Sequence, residues 1–458
     1  MITPALIVLK EFLKKTGEFL KGIFKKQKSQ LLTNMLIVGG ISLLVKGISF
    51  YKEIFIADTY GVSLLLDTFL IAVLVPTFIQ SVFINAYGSV FIPNYLLEKK
   101  INKDTSGFQS SSFIITISIG LTMIIVTYIG IDYYLEYLFP NHEETYYQLV
   151  KTQLYIILPC MLFWAVSSLI SGLLMADNEF LVSSLNAIFI PIATIICLFF
   201  HPILHEKTLA LGMLLGSIAS TIYLIIFGFN KNLLKLGEPD FKSDNIKVLI
   251  KQVPSKISSG LINGVNPMVD QYFSAQMAVG AIAALNYGYK IPMVTISLLS
   301  IPIGSTILPY FANKATENKE QTFLYLNKMI KLSLLILFFV TIILIASSKF
   351  IVSLFFERGE FTSSDTNIIY VIQQMYLIQI PFYIIGIIMN KYLTAINKNN
   401  FLVLSSIISL ILNIFFNYTF VELMGVKGLA LATSLVSLTN ALVIYIYIKK
   451  EHSKINYV

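Results

Sequence analysis

The sequence predicts an all-α polytopic membrane protein, with about twelve transmembrane helices in two pseudo-symmetric six-helix lobes and both termini in the cytoplasm. Three observations predict it. The chain carries too little charge for a surface facing water, it holds twelve apolar stretches long enough to span a bilayer, and its second and eighth stretches repeat one another.

The charge deficit is large. Of 458 residues, 56% are hydrophobic and 13% charged, and mean hydropathy is +0.77, whereas a soluble domain carries about 25% charged residues. The net charge of +8 raises the question of a nucleic-acid partner. Against that, the charges cluster at segment ends and in short loops, and Arg358 is the only arginine, although arginine is the usual bidentate phosphate reader. No nucleic-acid partner is expected.

A membrane helix needs about 20 mostly apolar residues. The qualifying stretches lie near 31–57, 65–96, 109–135, 145–175, 180–200, 207–229, 247–275, 281–312, 325–350, 366–395, 400–420 and 425–449. The longer ones are expected to tilt or extend beyond the bilayer. Basic residues in the connections test this parse independently. Of the 33, 24 fall on the side of the even-numbered connections and the termini, and four (Lys207, Lys349, Arg358, Lys427) on the other. By the positive-inside rule the lysine-rich side, with both termini, is cytoplasmic.

Residues 1–30 interleave Leu6, Leu9, Phe12, Leu13, Phe19, Leu20 and Phe24 with seven lysines. No cleavable secretory signal is expected, and the pattern predicts an amphipathic helix resting on anionic lipids of the inner leaflet. The organisation that follows is an N-lobe over 31–230, a cytoplasmic linker over 231–246, a C-lobe over 247–450 and a tail over 451–458.

The repeat sets Pro76, Gly88, Ser89 and Pro93 against Pro292, Gly304, Ser305 and Pro309, each pair 216 residues apart. Two weaker echoes, FLVSS from Phe180 with FLVLSS from Phe401, and KTLAL from Lys207 with KGLAL from Lys427, run in the same order. Two six-span halves of equal orientation form the parallel repeat of many transporters, which bind substrate between the halves. Pro76, Gly88, Pro292 and Gly304 predict bent helices facing protein or a cavity.

Charges within apolar helices mark function. Lys151 and Lys256 lie close enough to helix ends to snorkel. Lys46 does not, being some 11 residues, or roughly 16 Å, from the nearer end. Glu53 follows it on the same face, Lys52 is adjacent, Asp67 opens the second helix and Lys290 opens the Pro292 segment. Lys46, Lys52, Lys290, Glu53 and Asp67 are therefore expected to collect in the outer half between the lobes. They form either an ion-pair network orienting the halves or a cation-lined cavity for a phosphate-like group.

A second constellation joins Asn263, Asn266 and Asp270 on the seventh helix to Asn413 and Asn417 on the eleventh and Thr433 on the twelfth. Asp270, Asn413, Asn417 and Thr433 suit a coupling monovalent cation, sodium or proton; interhelical hydrogen bonding uses the same residue types. Enzyme signatures are absent. His201 and His205 have a metal-like spacing but Pro202 intervenes and no third ligand follows, Cys160 and Cys197 both lie in apolar runs, and no Walker glycine loop exists. Transport, not covalent chemistry, is expected, with no resident cofactor and no metal site.

From about residue 31 to 450 the chain resembles the MurJ (MviN) branch of the multidrug/oligosaccharidyl-lipid/polysaccharide exporter superfamily. The resemblance is carried by KEIFIADTYGVSLLLDTFLIAVLVP (52–76), ALNYGYKIP (284–292), IPIGSTILP (301–309), LFFERGEFTSSDT (354–366) and GVKGLALATSLVSLTNAL (425–442). It implies a MATE/MurJ-like two-lobe fold. It also implies flipping of lipid II, an undecaprenyl-pyrophosphate-linked glycan, by alternating access, with envelope-synthesis enzymes as candidate partners. Family arginines fall on Lys46, Lys52 and Lys290, and family acids on Glu53 and Asp67. The chain departs from the family where Gln80 and Ser81 replace a basic pair, where Tyr289 replaces an acid, and in having twelve apolar stretches against the usual fourteen helices. Alternative readings are a repeat-unit flippase for O-antigen, capsule or exopolysaccharide, a cation-coupled multidrug exporter, and a non-transporting envelope scaffold.

Overall fold

The computed structural model describes residues 30–102, 104–317 and 319–455; the amphipathic segment expected over 1–30 falls outside them except for Gln30. Twelve long helices, with a shorter one over Ser348–Phe356, hold most of the described residues. The N-lobe contains α1 (Gln30–Tyr60), α2 (Leu64–Ile101), α3 (Ser106–Leu138), α4 (Glu144–Ala176), α5 (Phe180–Phe199) and α6 (His201–Asn230). The C-lobe contains α7 (Asp244–Ala275), α8 (Ala281–Glu317), α9 (Lys319–Ala346), α10 (Ser363–Ala395), α11 (Asn399–Met424) and α12 (Val426–Ile455). Among the described residues, nine helices are long and apolar enough to cross a membrane. The other three, α1, α7 and α8, are 31, 32 and 37 residues long and carry most of the charged candidates.

Proline shapes these helices locally. Pro76 lacks the N–H that would bond Ala72, and the ladder re-forms as a π-turn over Gln80–Ile84. Thr77 donates its hydroxyl to the carbonyls of Val73 at 2.8 Å and Leu74 at 3.0 Å, satisfying the disturbed turn. α8 runs unbroken through Pro292, so the two repeated helices differ at their equivalent prolines. Gly88 brings α2 close enough to α4 that a Cβ would press on Ser168 Oγ; the surroundings of Gly304 lie outside the described side chains. The fourth helix of each lobe breaks beside a proline, α4 at Leu158–Pro159 and α10 at Ile378, three residues before Pro381.

Burial divides the molecule along its long axis. At the end with few lysines one continuous core joins the lobes, from Ile56 and Leu66 through Leu154 and Met161 to Ile282, Tyr287 and Ile369. At the lysine-rich end the core splits. One part, around Phe91, Leu169 and Leu224, belongs to the N-lobe, and the other, around Phe311, Leu326, Ile388 and Ile444, to the C-lobe. α7 ties the halves there. Ile246 and Leu249 join the N-lobe core, and Gln252 accepts from Asn94 of α2 at 2.9 Å.

The joined end is closed by backbone contacts that side chains could not make. Gly61 and Gly359 both take positive φ, 49° and 51°, where glycine alone is unstrained. A Cβ on Gly61 would overlap Glu360 O, and one on Gly359 would overlap Asp58 O. The Glu360 N–H donates to Asp58 O at 2.9 Å, and Phe50 of α1 packs edge-on against Phe355 at 5.1 Å. His142 Nε2 donates to the Ala275 carbonyl at 2.9 Å. Gly359→Ala is expected to lower stability by about 1–3 kcal/mol and to raise the labelling rate of a cysteine placed at Val62. Thermal unfolding and maleimide labelling check this; an unchanged rate would show that the seal does not depend on this contact.

Candidate functional site

Lys52 and Glu53 of α1 meet Lys290 of α8 immediately beneath the joined end. Lys52 Nζ lies 2.8 Å from Glu53 Oε1 and Lys290 Nζ lies 3.0 Å from Glu53 Oε2. The helix geometry explains the meeting. Glu53 is seven residues from the end of α1 and Lys290 nine from the start of α8, so both stand roughly 10–14 Å in, at 1.5 Å per residue. All three side chains are largely covered, at 22%, 14% and 19% exposure for Lys52, Glu53 and Lys290.

The stoichiometry matters more than the distances. Two ammonium groups share one carboxylate, one on each oxygen, leaving an unmatched positive charge in a poorly solvated place. Lys46, two helical turns along α1, is partly exposed and forms no ion pair among the described residues. Stranding a charge at mid-bilayer costs about 2.5–3.5 kcal/mol on insertion scales, a cost that water or an anion relieves. The arrangement can therefore receive an anion between lobes.

Asp67 stands elsewhere. It is 3% exposed and accepts from the Gly280 N–H at 2.6 Å and the Ala283 N–H at 2.7 Å. Those groups begin α8, so an N-lobe carboxylate caps a C-lobe helix, satisfying two orphan donors and facing the positive end of the helix dipole. The structure thus separates Asp67 from the lysine cluster with which the sequence grouped it. Its partner was within reach of the repeat arithmetic, since Ala283 lies 216 residues from Asp67. Lys151, expected to snorkel, pairs with Asp132 at 2.6 Å, and Lys256 is exposed.

The second constellation comes together within the C-lobe. Asp270 Oδ1 accepts from Asn413 at 3.0 Å and Asn417 at 2.7 Å, and the Thr433 hydroxyl stands beside the same carboxylate. Asn266, one turn before Asp270, and Asn417 each keep a buried Oδ1 with no partner; the side chain of Asn263 lies outside those described. His201 Nδ1 sits 3.1 Å from the Tyr60 hydroxyl and 3.2 Å from Thr208 Oγ1, and among the described residues no three His, Cys, Asp or Glu side chains gather as a metal site.

Two six-helix lobes, joined at one end around an anion-receptive cluster, define a transporter of the superfamily that includes MurJ and MATE proteins. Solved structures share the fold. "Lipid II flippase MurJ, inward closed conformation" matches with TM-score 0.78 and 23% identity over 90% of this chain and 87% of that one. An inward-facing multidrug resistance MATE family transporter matches with TM-score 0.75 and 14% identity over 93% and 99%. The family described as "Lipid II flippase MurJ" matches residues 56–457, and the chain belongs to it. Among curated relatives, the "Probable lipid II flippase MurJ" of Buchnera aphidicola subsp. Schizaphis graminum is 26% identical over 91% of this chain and 82% of its own length. That of Aquifex aeolicus is 26% identical over 79% and 72%.

Asp67→Ala would strand two buried N–H groups, at about 1–3 kcal/mol each, whereas Asp67→Asn keeps one acceptor oxygen. Thermal unfolding should rank wild type above Asn above Ala. Equal stability of all three would remove the cap from the account of the joined end.

Proposed function

We propose that the chain flips lipid II across the bacterial cytoplasmic membrane by alternating access. Family membership supports the substrate, and the single observation that carries the mechanism is the two-to-one sharing of Glu53 by lysines from both lobes. With the lysine-rich end in the cytoplasm, the lobes part toward the cytoplasm and are sealed toward the outside. A pyrophosphate entering from below meets Lys46, then Lys52 and Lys290. It displaces Glu53 as their counter-ion and bridges α1 to α8, so binding energy bears directly on the relative position of the lobes. Opening outward requires the Asp67 cap and the Gly61–Glu360 and Asp58–Gly359 contacts to release, while the polyprenyl tail stays in lipid. No bond in the substrate is made or broken. A cationic drug finds no comparable partner in a cluster with excess lysine, which disfavours the multidrug reading.

A monovalent coupling cation fits the C-lobe constellation. Asp270 supplies charge, and Asn266 and Asn417 hold unused buried oxygens. Bound there, sodium or a proton would neutralise Asp270 among helices α7, α11 and α12.

In reconstituted vesicles Lys52→Ala and Lys290→Ala should each slow lipid II translocation about tenfold or more, equivalent to ~1.4 kcal/mol. Unimpaired flipping by both variants at normal expression would exclude the cluster as the headgroup site. Asp270→Asn should remove any dependence of the rate on the sodium or proton gradient. A gradient dependence that survives it would locate coupling elsewhere.

A further inference from the structure

Within the N-lobe a cavity of about 580 Å³ opens between α2, α4, α5 and α6, inside the ~300–1,000 Å³ range of small-ligand sites. Its described lining contains no charged side chain but includes Gln80, Asn85, Ser168, Asn186 and Ser220. Among the described residues, none of these five side chains hydrogen-bonds to another protein group. Polar groups at membrane depth are tolerated where they face water or a polar ligand. Five unengaged amides and hydroxyls on four helices are costly unless such a ligand or water meets them.

Their chemistry narrows the ligand. Amides and hydroxyls offer donors and acceptors together without charge, which matches the hydroxyl and N-acyl groups of a saccharide. An anion would find no cation in this wall, and an apolar chain would leave every amide unpaired. Depth places the cavity level with Lys46. Lys46 is 14 residues from the joined end of α1 and Gln80 is 16 from that of α2, roughly 21 and 24 Å in. α1 packs along α5, which contributes Asn186.

We infer that this cavity is a subsite for the neutral saccharide of the cargo, separate from the lysines that hold its pyrophosphate. The inference rests on the flippase reading and adds to it a division of labour. Charge at Lys46, Lys52 and Lys290 anchors any polyprenyl pyrophosphate, and the uncharged cavity selects those that carry sugar.

The protein contains its own reporter. Trp164 is the only tryptophan in the chain; it lines the cavity, 8% exposed, with its indole N–H donating to Ser217 Oγ at 2.9 Å. The full chain in nanodiscs is titrated with lipid II and, separately, with undecaprenyl pyrophosphate, reading tryptophan emission and binding in parallel. Both lipids should bind, and only lipid II should shift the emission. Asn85→Ala and Asn186→Ala should weaken lipid II about tenfold or more while leaving undecaprenyl pyrophosphate unchanged, as expected where a built polar site loses its ligand's partners. Equal emission shifts from the two lipids, equal weakening of both, or lipid II binding indifferent to both variants would overturn the subsite while the flippase reading stands. Binding of neither lipid would overturn both.

Discussion

One carboxylate between two ammonium groups sets the terms for the rest of the molecule. Glu53 holds Lys52 from its own helix and Lys290 from the opposite lobe, so the lobes are linked just beneath the joined end by an electrostatic contact that is one negative charge short. A balanced pair would lock: breaking it leaves an uncompensated buried charge, a penalty of about 3–5 kcal/mol. The unbalanced triad is different, because an arriving dianion improves its charge balance. The same imbalance that destabilises the empty site favours an occupied one, and its members sit on one helix from each lobe.

Around that contact the repeat gains physical meaning. α2 and α8 are related by the 216-residue offset, and their first turns meet at the joined end through Asp67 and the start of α8. Pseudo-equivalent residues touch where a pseudo-twofold axis passes between two helices. The contact is nonetheless asymmetric, since position 283 is alanine and only the N-lobe supplies the cap. A fully symmetric pair would place two carboxylates against each other. Duplication supplied the geometry, and divergence at one position made it attractive.

Much of this was legible in the sequence. Hydropathy and the lysine alternation located the helices to within a few residues, because both are consequences of transfer free energy and need no tertiary information. Asp270, Asn413, Asn417 and Thr433 were legible as a group since polar side chains in apolar helices seek one another. Asp67 was misplaced for the complementary reason. A carboxylate near cations reads as their partner, while backbone N–H groups, the partners it has, leave no mark in a sequence. The contacts of Gly61 with Glu360 and of Gly359 with Asp58 escaped likewise, being made by backbone across 299 and 301 positions of sequence separation. The π-turn after Pro76 was visible only as a bend, because proline predicts a disturbed ladder without saying how it heals.

The unequal healing of the two repeated prolines bears on which side of the molecule opens. α2 widens into a π-turn at Gln80–Ile84, and α7 lies along that stretch, with Gly260 and Gly264 letting its backbone approach Val82 and Phe78. The lobes are therefore stitched along the α2–α7 flank well below the lysine cluster. On the opposite flank α1 meets α8 at the ion pair, and farther along α1 Leu43 and Leu44 are about half exposed. A headgroup with a lipid tail needs a lateral slot as well as a chamber, since the tail never leaves the hydrocarbon. On the proposed flippase reading the α1–α8 flank would meet that need. α1 and α8 are joined there by the Glu53–Lys290 ion pair, whereas α2 and α7 are joined by close packing. On that reading, the charge that would receive the pyrophosphate and the seam that would admit the tail are properties of the same two helices.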